Sequence, residues 1–426
     1  ATGAAGAAAG AGRDSAATGA PGAGGDGGAA TVNSSASGNA SGGAGGAGGS
    51  GTAAGGSGAT GGAGGDAYNA RSGGTATAGA GGTGGSGVAT GTSGGAGGTG
   101  GDATALVVGD ATKGTGGTGG SAGTGGSAGA TGANGTASAV AATTTTTGSD
   151  LRGVAVSADG SKIYVASSGT NSVSVLDGTT KSVITTISVG TTPYAVALSA
   201  DGTKAYVTNY GAGTVSVIDT ATDTVTDTIT VGSNPTDVAF SPTAAKAYVT
   251  NSGSGTVSVI NTSTGAVTSS PAVTGAQSVA FTPDGAKAFV GSSAGTVTVF
   301  DTAGNTIVST ITTGGNITAV AVTPDGTSVY VVDSSGDVLV YSTSNYAPTA
   351  TVNIGGVPDV IVASPDGAVV YVGSSNGGSS IQVISTTTNT VIGTIAYSTV
   401  NGIGISPSGT TLYVPLFAGS VVALPV

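Results

Sequence analysis

From residue 139 onward, apolar and polar positions alternate in short runs of four to seven residues, the period of half-buried β-strands. One stretch, residues 193–234, reads PYAVALSADGTKAYVTNYGAGTVSVIDTATDTVTDTITVGSN. It predicts four strands, at 195–198, 204–207, 214–218 and 225–231, separated by Gly, Asp and Asn turns. The unit recurs. Its second-strand aromatic returns as Tyr164, Tyr206, Tyr248, Phe289, Tyr330, Tyr371 and Tyr413, at steps of 42, 42, 41, 41, 41 and 42 residues. A steady period of this length with four strands per repeat predicts the blades of a β-propeller.

Six full repeats run from Arg152 to about residue 399. A seventh begins at Val400 and supplies three strands before the chain ends. Its fourth strand is expected upstream, at residues 141–147, one repeat ahead of 183–189. Pairing there closes the ring, covers two open sheet edges and sets the glycine-rich part against the propeller rim. The expected fold is thus an all-β seven-bladed propeller over 139–426, preceded by a glycine-rich domain over 1–138.

In that first part the strand pattern gives way to glycine. Residues 1–147 hold 52 of the 85 glycines. Gly114, Gly117, Gly120, Gly123, Gly126, Gly129, Gly132 and Gly135 keep a strict period of three, as do shorter runs at Gly42–45–48 and Gly55–58–61–64. Two readings stay open. Gly- and Ser-rich chains behave as flexible coil. Three residues per turn is also the geometry of a polyproline-II-type helix, and such helices hydrogen-bond side by side where Gly lets the backbones approach. On that second reading the part is a sandwich of polyglycine-II helices. The breaks in phase at 66–72 and 102–113 are turns between neighbouring helices, and Leu106, Val107 and Val108 seal an edge.

Composition narrows function. The chain has no His, Cys, Met or Trp, and all 20 acidic residues are Asp. Without His the usual general base near neutral pH is missing, and without Cys there is no thiolate chemistry. Nine scattered cations against a net charge of −11 exclude a nucleic-acid footprint. No run of 18 apolar residues exists for a membrane-spanning helix. Neither an initiator Met nor a signal peptide is present, so the chain reads as a piece of a longer protein.

GGAGGAGGSG at 42–51, GGAGGDA at 61–67, GGAGGTGGDA at 94–103 and GTGGTGGSAGTGGSAG at 114–129 resemble the PGRS domains of mycobacterial PE-PGRS proteins. The resemblance covers most of residues 20–135. It implies a two-layered polyglycine-II sandwich and a place at the cell envelope, although the family's N-terminal PE domain is not part of this chain. YVTN at 206–209 and 248–251, each leading into GTVSVI, resembles the YVTN family of β-propellers over roughly 140–426. Relatives of that kind occur in surface-layer proteins and in lactonase-like enzymes, so the likeness implies a fold and leaves function open.

Residue type marks out several candidate sites. The repeated DG turns at Asp159, Asp201, Asp284, Asp325 and Asp366 suit turns in which Asp accepts local backbone bonds and Gly takes positive φ. Gly61–Asn69 fits the nonapeptide GGxGxDxUx, with a weaker copy at 97–105, so Asp66 and Asp102 are candidate calcium ligands. Asp at a turn between helices is the competing reading. Asn209, Tyr210 and Asn251, in loops after the second strands, are expected to crowd one face with Tyr194 and the segments led by Pro193, Pro235 and Pro358. That face is the expected binding surface; packing of Tyr194 and Tyr210 beneath loops is the alternative. No catalytic grouping and no cofactor motif is found. The expectation is a non-enzymatic, secreted or cell-envelope protein, a rigid glycine-rich scaffold displaying a propeller to a protein or envelope component. Self-association through the glycine-rich part is a further expectation, and a lactonase-like propeller hydrolase is the alternative.

Overall fold

The computed structural model describes residues 143–376, 380–396 and 400–426. In the glycine-rich part it describes the segments 30–32, 40–41, 44–47, 61–64, 67–69, 76–77, 80–83, 96, 98–100, 103–106, 111–112, 115–119, 121, 130–132 and 137–140. The chain divides into two compact units, Ala1–Ala142 and Thr143–Val426. Residues 139–142, placed with the propeller on sequence, fall in the first unit.

The second unit is a seven-bladed all-β propeller. Blades 1 to 6 are consecutive four-stranded antiparallel sheets beginning at Leu151, Pro193, Pro235, Ala276, Ile317 and Val357. Blade 7 takes Gly404–Ile405, Thr411–Pro415 and Ser420–Pro425, and its outer strand is Thr143–Thr146. That strand pairs Thr146 with Ser420 and Thr143 with Ala423, so both ends of the ring share one sheet and leave no open inner edge.

The core lies between blades. Second strands are buried almost throughout because a sheet faces a neighbour on each side. Tyr206 packs with Val215, Val217 and Ile229 of its own blade and with Val238, Val249 and Ile260 of the next. Outer strands instead expose one residue after another, and Thr224–Thr230 buries only Ile229. Their Thr-rich composition suits a wet edge.

A repeated latch ties neighbouring blades. Lys162 Nζ donates to Thr220 O at 2.7 Å and to Asp223 at 2.8 Å, and Tyr164 Oη donates to the same carboxylate at 2.8 Å. Lys246 and Tyr248 hold Asn305 in the same way. Tyr330 reaches Asn389, and Lys181 reaches Tyr413 across the closure. The receiving residue sits at positive φ, 52° at Asp223 and 53° at Asn305, a conformation Asp and Asn tolerate.

In the first unit the phase breaks hold short parallel strands. Ala30–Val32, Ala67–Asn69, Ala103–Leu106 and Ala137–Val140 form one sheet, with Ala30, Ala67, Ala103 and Ala137 in register. Ala40–Ser41, Ala76–Thr77 and Ala111–Thr112 form a second. Val107 and Val108 lie outside the described residues. Between the breaks the glycine amides bond from segment to segment: Gly62 N to Gly46 O, Gly82 N to Gly62 O, Gly98 N to Gly82 O, Gly117 N to Gly98 O and Gly132 N to Gly117 O, at 2.7–2.8 Å. A Cβ on Gly82 would lie 1.9 Å from Gly46 O, so no larger residue fits there.

Candidate functional site

Six of the seven blades start with an irregularity at the same place. Pairing of the first and second strands skips one or two first-strand residues between Leu151 and Val154, Pro193 and Val196, Pro235 and Asp237, Ala276 and Ser278, Ile317 and Ala319, and Pro358 and Val360. A β-bulge of this kind leaves its extra residue unpaired and re-aims its side chain. At those irregularities stand Arg152, Tyr194, Thr236, Gln277, Thr318 and Asp359. Asn401 is their counterpart in blade 7.

Together these seven residues line a cavity of about 330 Å³ at the mouth of the central channel. Their variety is informative. Two residues further along, the same strands carry Val154, Val196, Val238, Val279, Val320, Ile361 and Ile403, β-branched every time because that position packs. At the bulge the framework makes no such demand, and the blades differ in charge, size and hydrogen-bonding groups.

Arg152 forms an ion pair with Asp150 at 3.0 Å, with a second bond from Nη2 at 3.2 Å. Its guanidinium lies 5.3 Å from the centre of the Tyr194 ring, and Tyr194 in turn lies 5.8 Å from Tyr210. Burial raises the Tyr194 phenol above its ordinary value. Asn401 Nδ2 donates to Leu151 O at 2.9 Å, and Thr318 Oγ1 to Pro358 O at 3.1 Å. These bonds join blade 7 to 1 and blade 5 to 6.

Asp237 follows the bulge in blade 3. Its two carboxylate oxygens accept the amides of Val238 at 2.8 Å and Val279 at 2.9 Å. Part of its surface faces the cavity, yet the walls of blades 3 and 4 close around the carboxylate. That desolvation outweighs the hydrogen bonds and pushes its pKa up to about 6. Asp359 lines the opposite side of the ring, three blades on.

The residues named on sequence are distributed unevenly. Tyr194 lines the cavity, and Tyr210 is half-buried beside it. Asn209 and Asn251 are fully buried at the ends of second strands that run two residues further than the pattern predicts. The Asn209 amide donates to Thr214 at 3.0 Å and Ser216 at 2.9 Å. Asn251 does the same to Thr256 at 3.2 Å and Ser258 at 3.0 Å. Both are ties inside a blade, so neither presents an amide to solvent. Asp66 and Asp102 lie outside the described residues. Arg152, Asp237, Gln277, Asp359 and Asn401 were missed on sequence; the one signal for four of them is that their repeat position varies from blade to blade.

The DG turns lie at the other end of the blades. Asp201 Oδ1 accepts Ser199 Oγ at 2.6 Å and the Thr203 amide at 3.0 Å, while Gly202 takes φ 70°. Asp159, Asp284, Asp325 and Asp366 repeat the arrangement. The side-chain bond from Ser157, ahead of the backbone bond, lowers Asp159 to about 2. These carboxylates are occupied as turn acceptors. Among the described residues no three acidic side chains gather as a metal site would need.

No family model matches the chain, and no curated protein is similar to it. Solved structures do match. Hydrazine synthase of Kuenenia stuttgartiensis is similar over 66% of this chain and 98% of that one, with a TM-score of 0.60 and 22% identity. At that identity the likeness speaks to the propeller fold alone.

Proposed function

We propose that this chain is a non-enzymatic binding protein, secreted or held in the cell envelope, that presents the channel mouth of its propeller to a partner. The observation that carries the reading is the ring of bulge residues: one repeat position, lining the cavity, differs between blades built on the same repeat. The glycine-rich unit serves as a rigid scaffold. Its amides bond between segments at spacings that leave no room for a Cβ, which supports polyglycine-II packing of the PGRS kind and an envelope location by that resemblance.

The test is a photo-crosslinking residue placed at Phe417, which is 54% exposed, or at Tyr210, in cells that make the protein. Phe417 belongs to this face because its carbonyl accepts the Asp150 amide at 3.0 Å. A control goes at Ala200, an exposed residue of a DG turn. Adducts formed from the channel face and absent from the control are expected. Equal adducts from both faces, or none, would remove the channel face as the recognition surface.

A further inference from the structure

We propose that the channel mouth seats the positively charged side chain of a polypeptide partner, a lysine or arginine, between Asp237 and Asp359. This rests on the channel face being the binding surface and adds the chemistry of what binds there.

Cations are divided unequally between the two ends of the propeller. All five of its lysines, at 162, 181, 204, 246 and 287, lie at the DG-turn end and are engaged in hydrogen bonds to neighbouring blades or turns. The channel end carries Asp150, Asp237, Asp333, Asp337 and Asp359, because first strands begin there and second strands end there. Arg152 is the cation at that end, and Asp150 holds it in an ion pair. One positive and five negative groups leave a net charge of −4. Arg152 also lines the cavity, but Asp150 holds its charge, so Asp237 and Asp359 set the sign of the field there and the mouth attracts cations.

Size and surroundings narrow the class. About 330 Å³ is at the small end for ligand pockets, right for one side chain rather than a large molecule. The amide-bearing Gln277 and Asn401 line the same space and add neutral hydrogen-bonding groups. Two carboxylates fall short of the six to eight oxygens calcium takes. Beside the mouth stand exposed apolar residues, Phe417 and Val357, the latter two residues before Asp359. A free amine has no use for them. A peptide does, since apolar neighbours of its basic residue can cover them. Burying the ion pair at the centre and apolar groups at its margin is how interfaces concentrate affinity.

The test titrates the whole chain at low salt with the capped peptide acetyl-Gly-Phe-Lys-Phe-Gly-amide, and with copies carrying norleucine or Glu in place of Lys. Binding of the Lys peptide is expected, with norleucine at least about tenfold weaker, the loss a desolvated charge pair brings. D359N is expected to weaken it by a similar factor, roughly tenfold. Asn already stands at that ring position in blade 7, so the blade will fold. D366N, which removes an equal charge from a DG turn, is expected to change nothing. Equal binding of Lys and norleucine peptides would overturn the inference, as would equal losses in D359N and D366N, or no binding up to millimolar peptide. Spermidine binding as tightly as the peptide would also overturn it, in favour of a small amine. If D359N keeps the face-specific cross-links while the Lys peptide does not bind, the recognition face stands and only the cation is lost.

Discussion

The latch between blades 1 and 2 can be taken apart one term at a time at Asp223. Its carboxylate accepts Lys162 Nζ and Tyr164 Oη, each at 2.8 Å, and its backbone sits at φ 52°. The pair is largely shielded, with side chains 26% and 11% exposed. A hydrogen bond to a charged group contributes about 1.5–3 kcal/mol, and the attraction of the ion pair adds about 1 kcal/mol at most. The left-handed backbone costs an ordinary L-residue a further 1 kcal/mol or so. D223N should therefore be mild, about 1 kcal/mol, because Asn305 already holds Tyr248 at 2.9 Å in the equivalent latch. D223G loses both bonds without strain, about 2–3 kcal/mol, and Gly265 is the natural precedent at that position. D223A adds the strain and should cost about 1 kcal/mol more than D223G. Urea unfolding followed by far-UV circular dichroism reads the series, provided the slope m is unchanged. Equal losses for D223G and D223A would refute the role of the left-handed backbone. A loss above about 2 kcal/mol for D223N would refute the interchangeability of the latches.

Acid should destabilise the propeller below pH 4. The DG-turn carboxylates are held below their ordinary range by hydroxyl and amide donors, so their contribution is present above the unfolded value of 3.8 and is lost as pH falls toward 2. Asp237 runs the other way. Its pKa is raised to about 6, so its contribution is full below 3.8 and is lost as pH rises through 6, by about 3 kcal/mol at most. Thermal midpoints should peak between those limits, and D237N should flatten the fall between pH 4 and 6. Thr145→Pro in the closing strand interrupts the pairing with Val421; leaving ladder groups unpaired should cost about 2 kcal/mol, read as a lower urea midpoint. Gly82→Ala cannot keep its 1.9 Å approach to Gly46 O. Amide exchange should rise at Gly62, Gly82 and Gly98 while the propeller stays protected, and unchanged protection would refute the segment-to-segment bonding.

The blades could be read from sequence because a strand buried on one or both faces writes its period into side-chain type. Where the backbone rather than the side chain carries the information, the pattern runs out. Asn209 sits in an Asn-Tyr-Gly string that reads as a loop, yet the strand continues through it, paired with Pro193 and Thr214. The bulges leave no compositional mark at all. They are visible only as a repeat position that stops repeating, and Arg152, Tyr194, Gln277 and Asp359 were separate residues until the ring brought them together. In the glycine-rich part the period of three includes the bonded Gly45, Gly61, Gly64, Gly117 and Gly132 but not Gly82 or Gly98. The breaks at 67–69 and 103–106 looked like turns because strands of two to four residues are too short to show alternation.

Whether the mouth recognises or hydrolyses turns on how its amides are used. A hydrolase of lactone or ester type needs donors aimed at a developing oxyanion, beside a base of suitable pKa. Asp237 has such a pKa. However, the nearest amides, those of Val238 and Val279, already bond to Asp237 itself, and the hydroxyl of Thr318 is turned to a backbone carbonyl. The carboxylate is anchored where a base would have to be free, and the backbone amides beside it are taken. Turnover of a γ-lactone or of p-nitrophenyl acetate should therefore match that of the D237N/D359N double variant. Activity that disappears in the double variant while its circular dichroism is unchanged would overturn the binding reading and make Asp237 the base.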